Sequence, residues 1–151
     1  MAQQDVRYFE DLEVGHETDC GSVEVTEEEM LEFAERYDPQ PIHIDEEAAK
    51  RSMFGDIIAS GWLTCALSAR LLVKGYMNDN ATLGGNGMDE VRWHQPVYAG
   101  DTLSVHVELV DKEAGDNPQF GHTTVLVTTT NQRDEEVLTM YGLGLVEKRG
   151  E

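Results

Sequence analysis

With 151 residues, 40% of them apolar, the chain has the length of one domain and enough apolar surface for one core, so it is neither disordered nor divisible into two independent units. No run approaches the roughly 18 apolar residues of a spanning helix, and residues 1–15 carry neither a basic nor an apolar signal region, so a cytoplasmic location without a membrane partner is expected. The 30 acids against 11 bases give a formal charge of −19, which argues against nucleic acid and anionic lipid, because both need clustered cations. The acids are spread along the chain and lysine occurs only at positions 50, 74, 112 and 148. That distribution points to a halophilic setting, since in molar salt the screening length falls to about 3 Å and self-repulsion fades. Cys20 and Cys65 form no CxxC pair, so neither a disulfide framework nor a zinc site is expected.

In chain order, residues 17–25 read as a strand. A helix follows, with Thr26 and Glu29 as a capping box and Met30, Leu31, Phe33, Ala34 and Tyr37 as its apolar side. It must stop at Tyr37 or Asp38, because Pro39 drives the residue before it out of the helical region. Residues 38–45 form a loop stiffened by Pro39 and Pro41, and Asp45 caps a short helix over 46–53. From Gly61 to Gly75 apolar residues surround the axis almost completely, the signature of a buried helix. Thereafter the period is two. Strands are expected near 88–93, around Leu103, Val105, Val107 and Leu109, over 121–131 and over 135–146. Early helices and late antiparallel strands make an α+β fold, a sheet wrapped around the long helix. Gly142 and Gly144 fall on one face of the last strand, where a ligand or another backbone can come close.

Asp38 and His43 are the strongest chemical candidates. They lie five residues apart in the two-proline loop, where much backbone freedom is already lost, and a carboxylate and an imidazole on one water can take and return a proton. A helix stop and a structural histidine are the plainer roles for the two. Ser60 and Gly61 open the long helix, where free N–H groups and the helix dipole could stabilise an oxyanion; a simple N-cap and a packing glycine are the alternative. His16, His94, His106 and His122 have no metal-ligand spacing. The stretch Gly84-Gly85-Asn86-Gly87 precedes a strand rather than a helix, against phosphate binding.

Three segments resemble the MaoC-like dehydratase family, which includes the (R)-specific enoyl-CoA hydratases of the hot-dog fold. The first runs from Phe33-Ala34 through Tyr37-Asp38-Pro39-Gln40-Pro41-Ile42-His43-Ile44-Asp45. The second is Phe54-Gly55 through Ile57-Ile58-Ala59-Ser60-Gly61, and the third runs from Val91-Arg92-Trp93 through Gln95-Pro96-Val97 to Gly100-Asp101-Thr102-Leu103. The likeness covers most of the chain and implies a single hot-dog domain over 1–151. It places Asp38 and His43 on the family's catalytic pair and Gly61 on its oxyanion-hole amide. Tyr37 and Gln40 depart from the family's usual Gly and Asn.

The resemblance implies hydration of trans-2-enoyl-CoA to (R)-3-hydroxyacyl-CoA, or the reverse, with no cofactor beyond the CoA of the substrate and no metal. It also implies a homodimer or larger homo-oligomer and an acyl-CoA or acyl-carrier thioester as partner. Arg92 and Lys74 are the expected CoA contacts, with Arg51 and Arg70 as further cations. Two other readings stay open: a hot-dog acyl-CoA thioesterase and a non-catalytic acyl-binding module. The long helix carries no acid between Gly61 and Gly75, which argues against the thioesterase.

Overall fold

The computed structural model describes residues 5–150. Five antiparallel strands form one sheet in the order β1-β3-β4-β5-β2, with β1 Glu17–Glu24, β2 Thr82–Trp93, β3 Thr102–Glu113, β4 Phe120–Thr130 and β5 Glu136–Glu147. The period-two pattern dictates which face is covered. Leu103, Val105, Val107 and Leu109 of β3 and Val125 and Val127 of β4 all point into the core.

The helical segment between β1 and β2 is shaped by its capping residues. Helix α1 (Glu27–Tyr37) begins where the Glu29 N–H donates to Thr26 Oγ1 (3.2 Å), and it ends at the residue before Asp38-Pro39. The expected loop over 38–45 instead contains a helical turn, α2 (Pro41–Ile44). Pro41 occupies its first position, where a missing N–H costs nothing. Helix α3 (Glu46–Arg51) is capped by Asp45 as expected, but it stops short of Met53. Ser52 has extended backbone and its hydroxyl donates to the Ala49 carbonyl (2.6 Å), leaving Met53 92% exposed.

Helix α4 (Gly61–Gly75) lies against the sheet. Leu63, Leu67, Leu71 and Leu72 are buried, whereas Trp62 is 59% exposed and Val73 is also exposed. Complete burial is therefore not what this chain alone gives: one apolar stripe meets the sheet and another faces outward. The helix crosses the sheet obliquely. At its start Gly61 touches Trp93 of β2, and at its end Gly75 touches the backbone of Cys20 in β1, where an added Cβ would sit 2.6 Å from the Cys20 Cα. The gap between α4 and the β5–β2 half of the sheet thus widens along the helix. A 3-10 turn, Met77–Asp79, closes its far end, where Thr82 Oγ1 donates to the Met77 carbonyl (3.2 Å).

Strand β2 begins at Thr82 rather than near Met88, and Gly84, Gly85 and Gly87 lie inside it. Glycine has no strand preference of its own. Pairing with β5 draws these residues into the sheet, and two of the three register shifts of this pairing fall among them.

Candidate active site

The two-proline loop and the start of α4 bring Asp38, His43, Ser60 and Gln40 into one polar cluster. Asp38 Oδ2 lies 3.4 Å from His43 Nε2 and accepts a bond from Ser60 Oγ at 2.7 Å; its Oδ1 accepts from Gln40 Nε2 at 2.8 Å. Ser60 is fully buried and His43 nearly so. Burial pushes the Asp38 carboxyl pKa up, but the bonds from Ser60 and Gln40, with the positive charge that His43 carries when protonated, outweigh it and hold the pKa below its usual value.

The other imidazole nitrogen settles the tautomer. His43 Nδ1 is 2.8 Å from the Ile58 carbonyl, and a carbonyl oxygen only accepts, so Nδ1 carries a proton. In the neutral ring Nε2 then offers a lone pair toward Asp38. Ile58 is fixed in turn by the segment containing Pro96 and Val97. The Ala59 N–H donates to the Val97 carbonyl (2.8 Å), Ile58 bridges Tyr98, and Tyr98 Oη donates to the Phe54 carbonyl (2.9 Å). All three segments of the resemblance therefore meet at Ile58, whose carbonyl holds His43.

Ser60 fills both roles that its position allows. Its Oγ accepts from the Trp62 N–H (3.2 Å) while its hydroxyl hydrogen goes to Asp38. The Leu63 and Thr64 N–H groups donate to the Ser60 carbonyl. In this first turn only the Gly61 N–H lacks an acceptor among the described residues, which suits it to an oxyanion. The absence of a side chain at Gly61 has a second cause, invisible in the sequence. An added Cβ would lie 2.6 Å from the Trp93 indole, whose Nε1–H donates to the Gly61 carbonyl at 2.9 Å. Trp93 packs edge-on against Trp62, making an aromatic wall beside Gly61.

The remaining candidates scatter. Arg92 is exposed next to Trp93 and donates to its neighbour's carbonyl, that of Val91. Lys74 sits in the last turn of α4, about 20 Å from Gly61 at 1.5 Å per residue, so the two cations do not converge on one phosphate position. His106 is held by Asp19 and Glu17 on the outer face of the sheet, and His94 pairs with Thr139. Tyr37 is 66% exposed and packs at a tilt against Phe33, outside the polar cluster. Among the described residues no group of three or more His, Cys, Asp or Glu side chains could hold a metal, and no helix is long and apolar enough to cross a membrane.

Comparison with known proteins accords with this geometry. The sequence profile described as "MaoC like domain" matches residues 12–131. The chain belongs to the MaoC-like hydratase/dehydratase family. It is 35% identical to the uncharacterised protein YdeM of Bacillus subtilis over 130 residues, 85% of this chain and 91% of that protein. It is 34% identical to 3-hydroxyacyl-thioester dehydratase Z of Mycobacterium tuberculosis over 116 residues, 76% of this chain and 74% of that one. The crystal structure of a MaoC-like dehydratase from Rhodospirillum rubrum superposes with a TM-score of 0.88 at 36% identity, covering 95% of this chain and 99% of the other. The five-stranded sheet with its long helix is thus the hot-dog fold of this MaoC-like family.

Proposed function

We propose that this chain adds water to a trans-2-enoyl thioester of CoA or an acyl carrier, giving the (R)-3-hydroxyacyl thioester, and catalyses the reverse dehydration. One observation carries the reading. Two acceptors, the ionised Asp38 Oδ2 and the His43 Nε2 lone pair, face one another at 3.4 Å. A water near both can donate a hydrogen to each, which leaves its oxygen lone pair for carbon three of the enoyl group. As that C–O bond forms, the double-bond electrons move toward the thioester oxygen, where the Gly61 N–H meets the developing charge. The Asp38–His43 pair carries the proton from water to carbon two, and the thioester carbonyl is restored.

Asp38 and His43 touch the reacting atoms in this scheme; Ser60, Gln40 and the Ile58 carbonyl position them. Neither a cofactor nor a metal is required. The outward apolar stripe of α4 and the exposed Leu83, Met88 and Trp93 of the edge strand β2 favour a homodimer, since edge strands invite pairing and large apolar patches mark interfaces. We place the protein in the cytoplasm, where its thioester substrates occur.

The test is loss of enoyl-thioester absorbance on incubation with crotonyl-CoA and longer enoyl-CoAs, at low and at molar KCl, with chiral analysis of the product. Release of free thiol from a saturated acyl-CoA would make the protein a thioesterase, and binding without turnover would make it an acyl-binding module. Either result would overturn the hydratase reading.

A further inference from the structure

Glycine weakens a strand, because it loses the most freedom on folding and packs nothing. The core face of β5 nonetheless carries Gly142 and Gly144 in succession. Across the sheet Gly144 pairs with Gly85 of β2, so two neighbouring strands lack side chains at the same level. The result is a cavity of about 300 Å³ under the last turn of α4, walled by Leu72, Tyr76, Val125 and Val146 and floored by these glycines. Protein interiors are close-packed, so a half-open hollow of this size is not a packing defect; it lies at the lower end of the clefts that take small ligands.

The walls also indicate what would fill it. Polar groups in the lining are few: Asn80 accepts from Arg7 through Oδ1 (3.0 Å), Thr82 donates to the Met77 carbonyl, and Thr123 and Tyr76 add one hydroxyl each. The other lining residues are apolar or glycine. The cavity holds none of the proton-handling residues; Leu72 lies about 16 Å along the helix from Gly61. Because α4 starts on β2 and ends on β1, the gap beside it widens from Gly61 toward this hollow.

We infer that the glycine-floored cavity receives the tail of a long aliphatic acyl chain, so that this protein selects long-chain over short-chain thioesters. The placement of the reacting carbons at Gly61 rests on the hydratase reading; the apolar occupant of the cavity does not. A short acyl group would end well before Leu72 and leave the hollow unfilled, whereas each methylene seated in an apolar pocket raises kcat/KM by about tenfold or more.

The experiment compares crotonyl-CoA with trans-2-dodecenoyl-CoA in the wild type, Val125→Leu and Leu72→Phe. Both replaced side chains wall the cavity, whereas an added Cβ at Gly142 or Gly144 would crowd Val125 and Thr123 at 3.2 and 2.9 Å. The wild type should favour the long substrate in kcat/KM by at least about tenfold, and each folded variant should lower that preference about tenfold. Calorimetric binding of unreactive dodecanoyl-CoA and butyryl-CoA should show the same order. Hydration with equal kcat/KM for both substrates, or a preference unchanged in both folded variants, overturns the cavity assignment and leaves the reaction intact. A binding preference that the variants abolish, in a protein that hydrates neither enoyl-CoA, supports the cavity and removes the hydratase reading.

Discussion

The two ends of α4 are built on opposite plans. At Gly61 polar atoms are crowded: Asp38 takes bonds from Ser60 and Gln40, His43 is tied to Ile58, and the Trp93 ring covers Gly61. At Leu72 side chains are missing, and the space is defined by glycines on two strands. Proton transfer tolerates little misplacement, so its groups are held from several directions. An alkyl tail has no preferred contact atom and needs only volume. A substitution at the first end should therefore change whether the reaction runs, and one at the second which substrate it takes.

The largest expected effect breaks the first end directly. Asp38→Asn and His43→Ala should each lower kcat/KM for an enoyl-CoA by at least about 10², and the double variant should be little worse, because both act in one step. Steady-state rates on circular-dichroism-checked protein decide it; full activity in either single variant would remove the pair from the mechanism.

At Gly61 the structure demands a comparison rather than a single change, since any Cβ meets Trp93. Gly61→Ala and Gly61→Pro both disturb the indole, but only proline also deletes the N–H, at a helix position that accepts it. Proline should cost a further factor on the order of 10² in kcat, the typical loss of one oxyanion donor. Equal rates in the two variants would assign Gly61 to packing alone.

A smaller effect sharpens the role of Ser60. Its hydroxyl helps keep the Asp38 carboxyl below its usual pKa, so Ser60→Ala should raise that pKa. The acidic limb of the kcat/KM profile, where Asp38 protonates, should then move to higher pH. For stability, a lowered folded-state pKa stabilises above the unfolded value, and that contribution is lost as pH falls through the folded one. Ser60→Ala should weaken this acid dependence and also cost about 1 kcal/mol for the lost cap. An unshifted acidic limb would reduce Ser60 to a cap.

Salt should give the mildest effect and should not distinguish the two ends. With a charge of −19, the melting temperature should rise as KCl approaches the molar range. A flat or falling melting temperature would count against a halophilic setting.

The parts that the sequence made legible share a local cause. Helix caps, proline stops and the alternation of Leu103 through Leu109 are properties of neighbouring residues, and they appear nearly where expected. Asp38, His43, Ser60 and Gly61 could be singled out because each pair lies within one short segment. The hold on His43 could not, since a backbone carbonyl such as that of Ile58 has no residue type to betray it. Trp93 was read only as part of a shared segment; its contact with Gly61 depends on where β2 runs beside α4. Gln40 stood out only as a departure from the family pattern, and the structure gives that departure a physical role in holding Asp38. The early start of β2 escaped for a similar reason: its glycines have no strand preference, and only the pairing with β5 makes them extended.

A hollow floored by glycine has a genetic consequence. Every glycine codon is one base change from alanine or valine, so narrowing the cavity takes a single mutational step at any of several positions. Because these positions lie most of a helix length from Asp38 and His43, such steps leave the proton-handling groups in place. Descendants of one gene can thus diverge in the chain length they accept while inheriting the same catalytic apparatus.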